Sequence, residues 1–285
     1  MSKIGIIVEG GGMKCAYSAG VLDRFLDDDI TFDYALGVSA GSANLASFLA
    51  GQRERNRRYY TQHLKDPDYF GIRSFLKTGN TFNLHYIYST LSNSDGKDPL
   101  DYETLAKNPT DFRIVATDAQ TGRPHYFHKS QMKKDDYRII MASCALPVVC
   151  RPQVVNGRKY FDGGVSDSIP IAKAFRDGCD KVVIILSKPR GFVKEPEAHR
   201  LLYTLALLRY PKIVRDLDRR HIMYKECQDT MYAMEKQGKA FLFCPSAPPE
   251  MSTYTMDPEI EEQLYQLGLK DYETWKGQLQ AFLQD

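Results

Sequence analysis

The stretch Gly37-Val38-Ser39-Ala40-Gly41 has the residue types of a turn that presents a serine hydroxyl. A nucleophile at the tip of a strand-to-helix turn takes strained backbone angles while neighbouring backbone passes close by. Glycine two residues before and two after removes the side chains that would collide. Asp33–Val38 reads as strand and Ala40 onward as helix, so the hydroxyl would sit at a helix N-terminus, where orphan amides favour developing negative charge. A plain Gly/Ser turn without chemistry has the same composition. A second stretch, Glu9-Gly10-Gly11-Gly12-Met13-Lys14, also lies between strand and helix. Three successive glycines leave the main chain bare, so its N–H groups can converge on one oxygen, as an oxyanion hole requires. The competing reading is a phosphate loop, but Cys15 stands where a dinucleotide fingerprint wants glycine and no Gly-Lys-Ser/Thr follows. The third is Asp162-Gly163-Gly164, directly after a short strand. It is either an ordinary β-turn or a carboxylate held in a tight turn and directed at a neighbouring strand tip.

Periodicity supplies the elements that must position these residues. Lys3–Val8 reads as a strand, and Tyr17–Leu26 places Val21, Leu22, Phe25 and Leu26 on one helical face. Tyr34–Val38 is a second strand, with the small-residue helix Ala40–Ala50 behind it. Further strands are expected at Phe112–Thr117, Lys159–Phe161, Lys181–Leu186 and Ala240–Phe243, while Val148–Val155 is broken by Pro152. Helices are expected at Arg138–Cys144, Ile171–Asp177 and Ile260–Leu283. Strands alternating with helices predict an α/β fold with a mostly parallel sheet covered on both faces. The segment Tyr59–Asp101, rich in Tyr, Asn, Gly and Ser, takes no assignment. Residues 190–238 read as an inserted helical region. Its apolar centre, Leu201–Leu208, is expected as a buried core helix, with a lid as the alternative.

Composition narrows the function classes. A formal charge of +2 gives no field that argues for nucleic acid. Arg53, Arg55, Arg57 and Arg58 read first as a solvated helix face, the other option being a patch that attracts anionic head groups or acidic substrates. The six cysteines have no CxxC and no paired spacing, which fits reduced thiols in a cytosol. Residues 1–8 are too short for a signal-peptide core and no run reaches the ~18 apolar residues of a membrane span, so any lipid contact would be peripheral. His125 and His128 stand three apart with no third ligand motif, so no metal is expected. No histidine follows Ala240–Phe243, where a Ser-Asp-His hydrolase usually carries one.

The three glycine-rich stretches, in this order, resemble the patatin-like phospholipase family of acyl hydrolases. Ala142-Ser143-Cys144-Ala145-Leu146-Pro147 resembles the block that precedes the family's aspartate. The resemblance covers about residues 3–187. It implies a three-layer α/β/α fold with a mostly parallel central sheet. Residues 1–187 would form the catalytic core; 188–285 would add a helical insertion, a final strand and a C-terminal helix packed on the same domain. It further implies a Ser39–Asp162 dyad without histidine, in which Asp162 takes the proton of Ser39 and an acyl-serine forms. Gly10, Gly11, Gly12 and Met13 would make the oxyanion hole, Gly37 and Gly41 the elbow, and Gly163 and Gly164 the aspartate turn. The implied substrate is a lipid or other acyl ester, cleaved in the cytoplasm or at a membrane surface, with no cofactor. A lipid-binding protein without turnover is the alternative. One departure stands out: Lys14 is followed by Cys15 where the family commonly has glycine, which leaves the turn of that loop open.

Overall fold

Ile4–Val8 forms β1, and its Ile6, Ile7 and Val8 are fully buried, as a strand covered on both faces requires. The computed structural model describes residues 2–284; Met1 and Asp285, the outer ends of the two expected segments, lie outside them. After β1 come α1 (Ala16–Asp27), β2 (Tyr34–Val38), α2 (Ala40–Leu49), α3 (Arg55–Thr61), α4 (Ile72–Thr78) and α5 (Tyr102–Lys107). Next are β3 (Asp111–Asp118), β4 (Pro124–His128), α6 (Arg138–Ser143), β5 (Gln153–Val155) and β6 (Arg158–Asp162). The chain closes with α7 (Ile171–Arg176), β7 (Lys181–Ile185), α8 (Arg200–Ala206), α9 (Pro211–Lys236), β8 (Ala240–Phe243) and α10 (Pro258–Gln284).

The strands make one eight-stranded sheet in the order β5-β6-β3-β2-β1-β7-β8, with β4 also paired to β3. β3, β2, β1, β7 and β8 run parallel; β4 and β6 run antiparallel to β3. Alternation along β1 separates two cores. Ile6 and Val8 face α1, α2, α6 and α10, whereas Ile7 joins Leu36, Val115 and Ile184 against α7 and α9. The protein is thus a three-layer α/β/α molecule with additional C-terminal helices.

Two sequence expectations fail. Leu201–Leu208 is not a core helix: Tyr203 and Leu207 are buried, but Leu201, Leu202, Leu205 and Leu208 are 77%, 63%, 65% and 69% exposed. α8 is short and lies on the outside, so one stripe packs on Phe161 and Val165 and no described residue covers the other. The arginine cluster is not a solvated face. Arg55 is buried and donates to Ser47, Ser92 and the Asp98 carbonyl, while Arg58 and Arg57 pair with Asp98 and Glu262, each at 2.7 Å. Buried oxygens supplied by distant segments make this cation site, which local charge patterning does not reveal.

Candidate active site

β3 acts as the ruler that brings Ser39 and Asp162 together. Each of its residues has two edges. Ala116 and Thr117 pair with β4 on one and with Asp162 and Phe161 of β6 on the other. Ile114 and Val115 pair with the same β4 and, opposite it, with Gly37 and Val38 of β2. β2 and β6 therefore share one edge of β3 and meet end to end. Val38 sits against Val115 and Asp162 against Ala116, one position apart. Both functional candidates stand where the two strand ends collide.

Ser39 adopts φ 53° and ψ −132°, a strained conformation for a residue with a side chain. Close packing enforces it. A Cβ on Gly37 would lie 2.4 Å from Ser42 Cα, and one on Gly41 would lie 2.4 Å from the Val8 carbonyl oxygen. The strain persists because the surroundings over-determine it: the Ser39 N–H donates to Ser143 Oγ (2.9 Å), which donates to the Val115 carbonyl (2.6 Å). The Asp162 N–H donates to the Ala145 carbonyl at 2.8 Å. The block 142–147 thus grips both strand ends, a role that its sequence does not disclose.

Ser39 Oγ donates to Asp162 Oδ2 at 2.5 Å, and the Gly164 N–H donates to Oδ1 at 2.8 Å. Gly163 fits where a Cβ would strike the Val115 carbonyl oxygen at 2.3 Å. Asp162 is 1% exposed. Burial raises its pKa above the ordinary carboxylate value, opposed by the Ser39 hydrogen bond, the Arg220 guanidinium and the Gly164 amide. Arg220 comes from α9: its Nε donates to the Gly164 carbonyl (2.8 Å) and its Nη1 to Glu197 (3.1 Å). No histidine bonds to either residue among those described.

The glycine loop packs directly against the elbow, and a Cβ on Gly10 would sit 2.7 Å from Ser39 Cβ. Gly12 has φ 57°, a left-handed turn suited to glycine. Met13 stands apart from the three glycines, because its N–H donates to the Thr253 carbonyl at 3.3 Å. Buried Glu9 anchors the start of the loop. Its carboxylate accepts from the Ser187 N–H (2.8 Å), Lys188 Nζ (2.6 Å) and Tyr224 OH (2.8 Å). Cys15 is fully buried and its thiol donates to the Glu9 carbonyl at 3.4 Å, so the residue that departs from the family pattern fastens the loop from below. Burial pushes that thiol's pKa well up, which keeps it neutral.

Two clefts open on either side of Ser39. One is mainly apolar, lined by Met13, Tyr60, Tyr69, Phe82, Tyr88 and Leu146; the unassigned segment 59–101 supplies its aromatic side chains. The other is polar and contains Asp162, Lys188, Lys194, Glu197, Arg220 and Tyr254. Glu197 lies 2.9 Å from Lys194 and 3.1 Å from Arg220, one carboxylate for two cations. The sequence offered no signal for Lys194, Glu197 and Arg220, because their roles depend on where α9 and the loop before α8 pack.

Residues 6–175 match the family model described as Patatin-like phospholipase. Residues 210–284 match one described as Domain of unknown function (DUF6363). Uncharacterized protein YjjU of Escherichia coli (strain K12) is 30% identical over 200 residues, 68% of this chain and 55% of that protein. The crystal structure of VipD from Legionella pneumophila gives a TM-score of 0.48 at 12% identity, covering 96% of this chain and 66% of that one. The chain thus spans between about half and two thirds of the length of these two proteins. A family match that takes in more than half of the residues makes this chain a member of the patatin-like phospholipase family.

Proposed function

We propose that the protein is a serine-dependent acyl hydrolase of lipid esters that works through a Ser39–Asp162 dyad. The observation that carries this reading is the 2.5 Å bond from a strained elbow hydroxyl to a buried carboxylate. Asp162 takes the Ser39 proton on Oδ2 as Oγ attacks the ester carbonyl carbon. A carboxylate whose proton affinity burial has raised is a better base for this step. Negative charge on the carbonyl oxygen falls beside the Gly11 and Gly12 amides; one such donor is typically worth ~3 kcal/mol of activation energy. The C–O bond to the alcohol then breaks, the alcohol leaves with the proton from Asp162, and an acyl-serine remains. Water attacks that ester with Asp162 again accepting a proton, and the fatty acid leaves as Ser39 regains its hydrogen.

The apolar cleft suits the acyl chain and the cation-lined cleft the polar leaving group, which favours phospholipid or lysophospholipid substrates. Residues 1–187 are read as the catalytic core and 188–285 as an extension on the same domain. Six free thiols fit a reducing, cytoplasmic setting. The test is covalent: a fluorophosphonate should label Ser39 stoichiometrically in the folded wild-type chain and leave Ser39→Ala unlabelled. A folded wild-type chain that resists labelling would sink the acyl-enzyme reading.

A further inference from the structure

Outside the site, the largest unexplained feature is exposed apolar surface on α4, α8 and the loop that joins the site to both. Ile72, Phe75 and Leu76 of α4 are 80%, 53% and 79% exposed. α4 sits at the tip of a hairpin whose stem is closed by the Phe70–Phe82 bridge and by the Gly71 N–H donating to the Thr81 carbonyl. Phe82 itself lines the apolar cleft beside Ser39. Leu146 lines both clefts, and four residues on Cys150 enters a groove with Gly79 at the end of α4, half-exposed Val148, and Ala206 and Leu207 at the end of α8. Leu201 and Leu205 of α8, one turn apart, and Leu208 just beyond it are exposed next to this groove. Beneath them Tyr203 and Leu207 pack on Phe161, the residue before Asp162. Six large apolar side chains on two helices, with Leu208 just past the end of α8, are thus exposed on elements that flank a groove next to the acyl cleft, more than scattered surface leucines account for.

We propose that this face seats the protein on the surface of a lipid bilayer with an anionic leaflet, so that an acyl chain passes from membrane to cleft without crossing water. The inference rests on the acyl-hydrolase reading for its direction, because it is a lipid substrate that needs such a path. Charge selects the occupant. Arg151, Lys159 and Arg209 lie exposed in the groove with no carboxylate at salt-bridge distance among the described residues. Arg73 and Lys77 of α4 share only Asp68. Apolar side chains ringed by cations match acyl boundary and phosphate level together. No helix of the described residues is long and apolar enough to cross a membrane, so the contact is peripheral.

The test uses the full chain carrying Ser39→Ala, which uncouples binding from turnover. Sedimentation is measured with phosphatidylcholine vesicles with and without phosphatidylglycerol. The parent should pellet with the anionic vesicles and be partly released by salt. Ile72→Ser/Leu76→Ser and, separately, Leu201→Ser/Leu205→Ser should each lower the partition coefficient at least about tenfold. Substituting such exposed side chains leaves the fold intact, and unchanged thermal melting verifies it. A parent that stays in the supernatant overturns the proposal, as do variants that pellet like the parent. It is equally overturned if light scattering finds a dimer that these substitutions dissociate, since a second copy would then cover the face. Failure of fluorophosphonate labelling refutes the hydrolase reading without touching the vesicle result.

Discussion

In the proposed dyad Asp162 must be both buried and basic, and these demands have separable consequences. Between 3.8, its unperturbed value, and its higher folded pKa, the native state holds a proton that the unfolded chain has released. The contribution of this group to stability therefore falls as pH rises through that window. Asp162→Asn removes the penalty, so near neutral pH its melting temperature should be no lower than wild type. Its kcat on a short soluble ester should nevertheless fall by about 10³-fold or more. A variant that loses both fold and activity would assign the residue to structure instead. The pH profile tests the same carboxylate: activity requires the ionised form, so kcat/KM should decline on the acid side at a pH above the ordinary carboxylate range. Arg220 holds that pKa down, and Arg220→Met should move the acid limb further up. An unmoved limb would mean that the guanidinium only braces the Gly164 turn.

The 142–147 block is an element with two grips, one on each strand end. Ser143→Ala leaves the Ser39 N–H and the Val115 carbonyl without their shared partner, at a cost of about 1–3 kcal/mol. It should lower kcat several-fold through a displaced Ser39 while KM changes little; Thr in its place should restore part of the loss, and unaltered kcat would deny the positioning role. This clamp also marks how far sequence reading reaches. The strands at 34–38 and 181–185 announce themselves by apolar runs, and the elbow by two glycines whose positions admit no side chain. Those signals are local. Ser143 meets Ser39 across 104 positions and Arg220 meets Gly164 across 56, and nothing in either neighbourhood encodes a partner so remote. The same limit explains α8: its leucines read as core because composition records apolarity and not which side of a helix finds a neighbour. The segment 59–101 escaped assignment for a related reason: Tyr59, Tyr60, Tyr69 and Tyr88 line a cleft, and the helices α3 and α4 have seven residues each, too few to show a period.

Across the whole molecule, α10 lies along α1 so closely that a Cβ on Gly268 would strike the Tyr17 carbonyl oxygen at 2.2 Å. Its Glu261 is fully buried with neither carboxylate oxygen hydrogen-bonded, and burial, aided by Asp257, pushes its pKa up to about 9. The folded state keeps this proton from 4.5 up to about 9 while the unfolded chain loses it, so stability drops with rising pH, by up to about 1.4 kcal/mol per unit. Glu261→Met should raise the melting temperature more at pH 8 than at pH 4.5; an equal gain at both would mean that the carboxyl does not titrate there. The Glu9 anchor has a broader consequence. Its acceptor oxygens sit at the first turn of the chain, while the donors Lys188 and Tyr224 come after the stretch that matches the patatin family, as does the Thr253 carbonyl that holds Met13. A fragment cut after residue 187 would keep every motif by which the family is known, yet its glycine loop would have lost three of its tethers and β7 its neighbour β8. Transplanting the recognisable part alone would move the chemistry's vocabulary without the grammar that orders it.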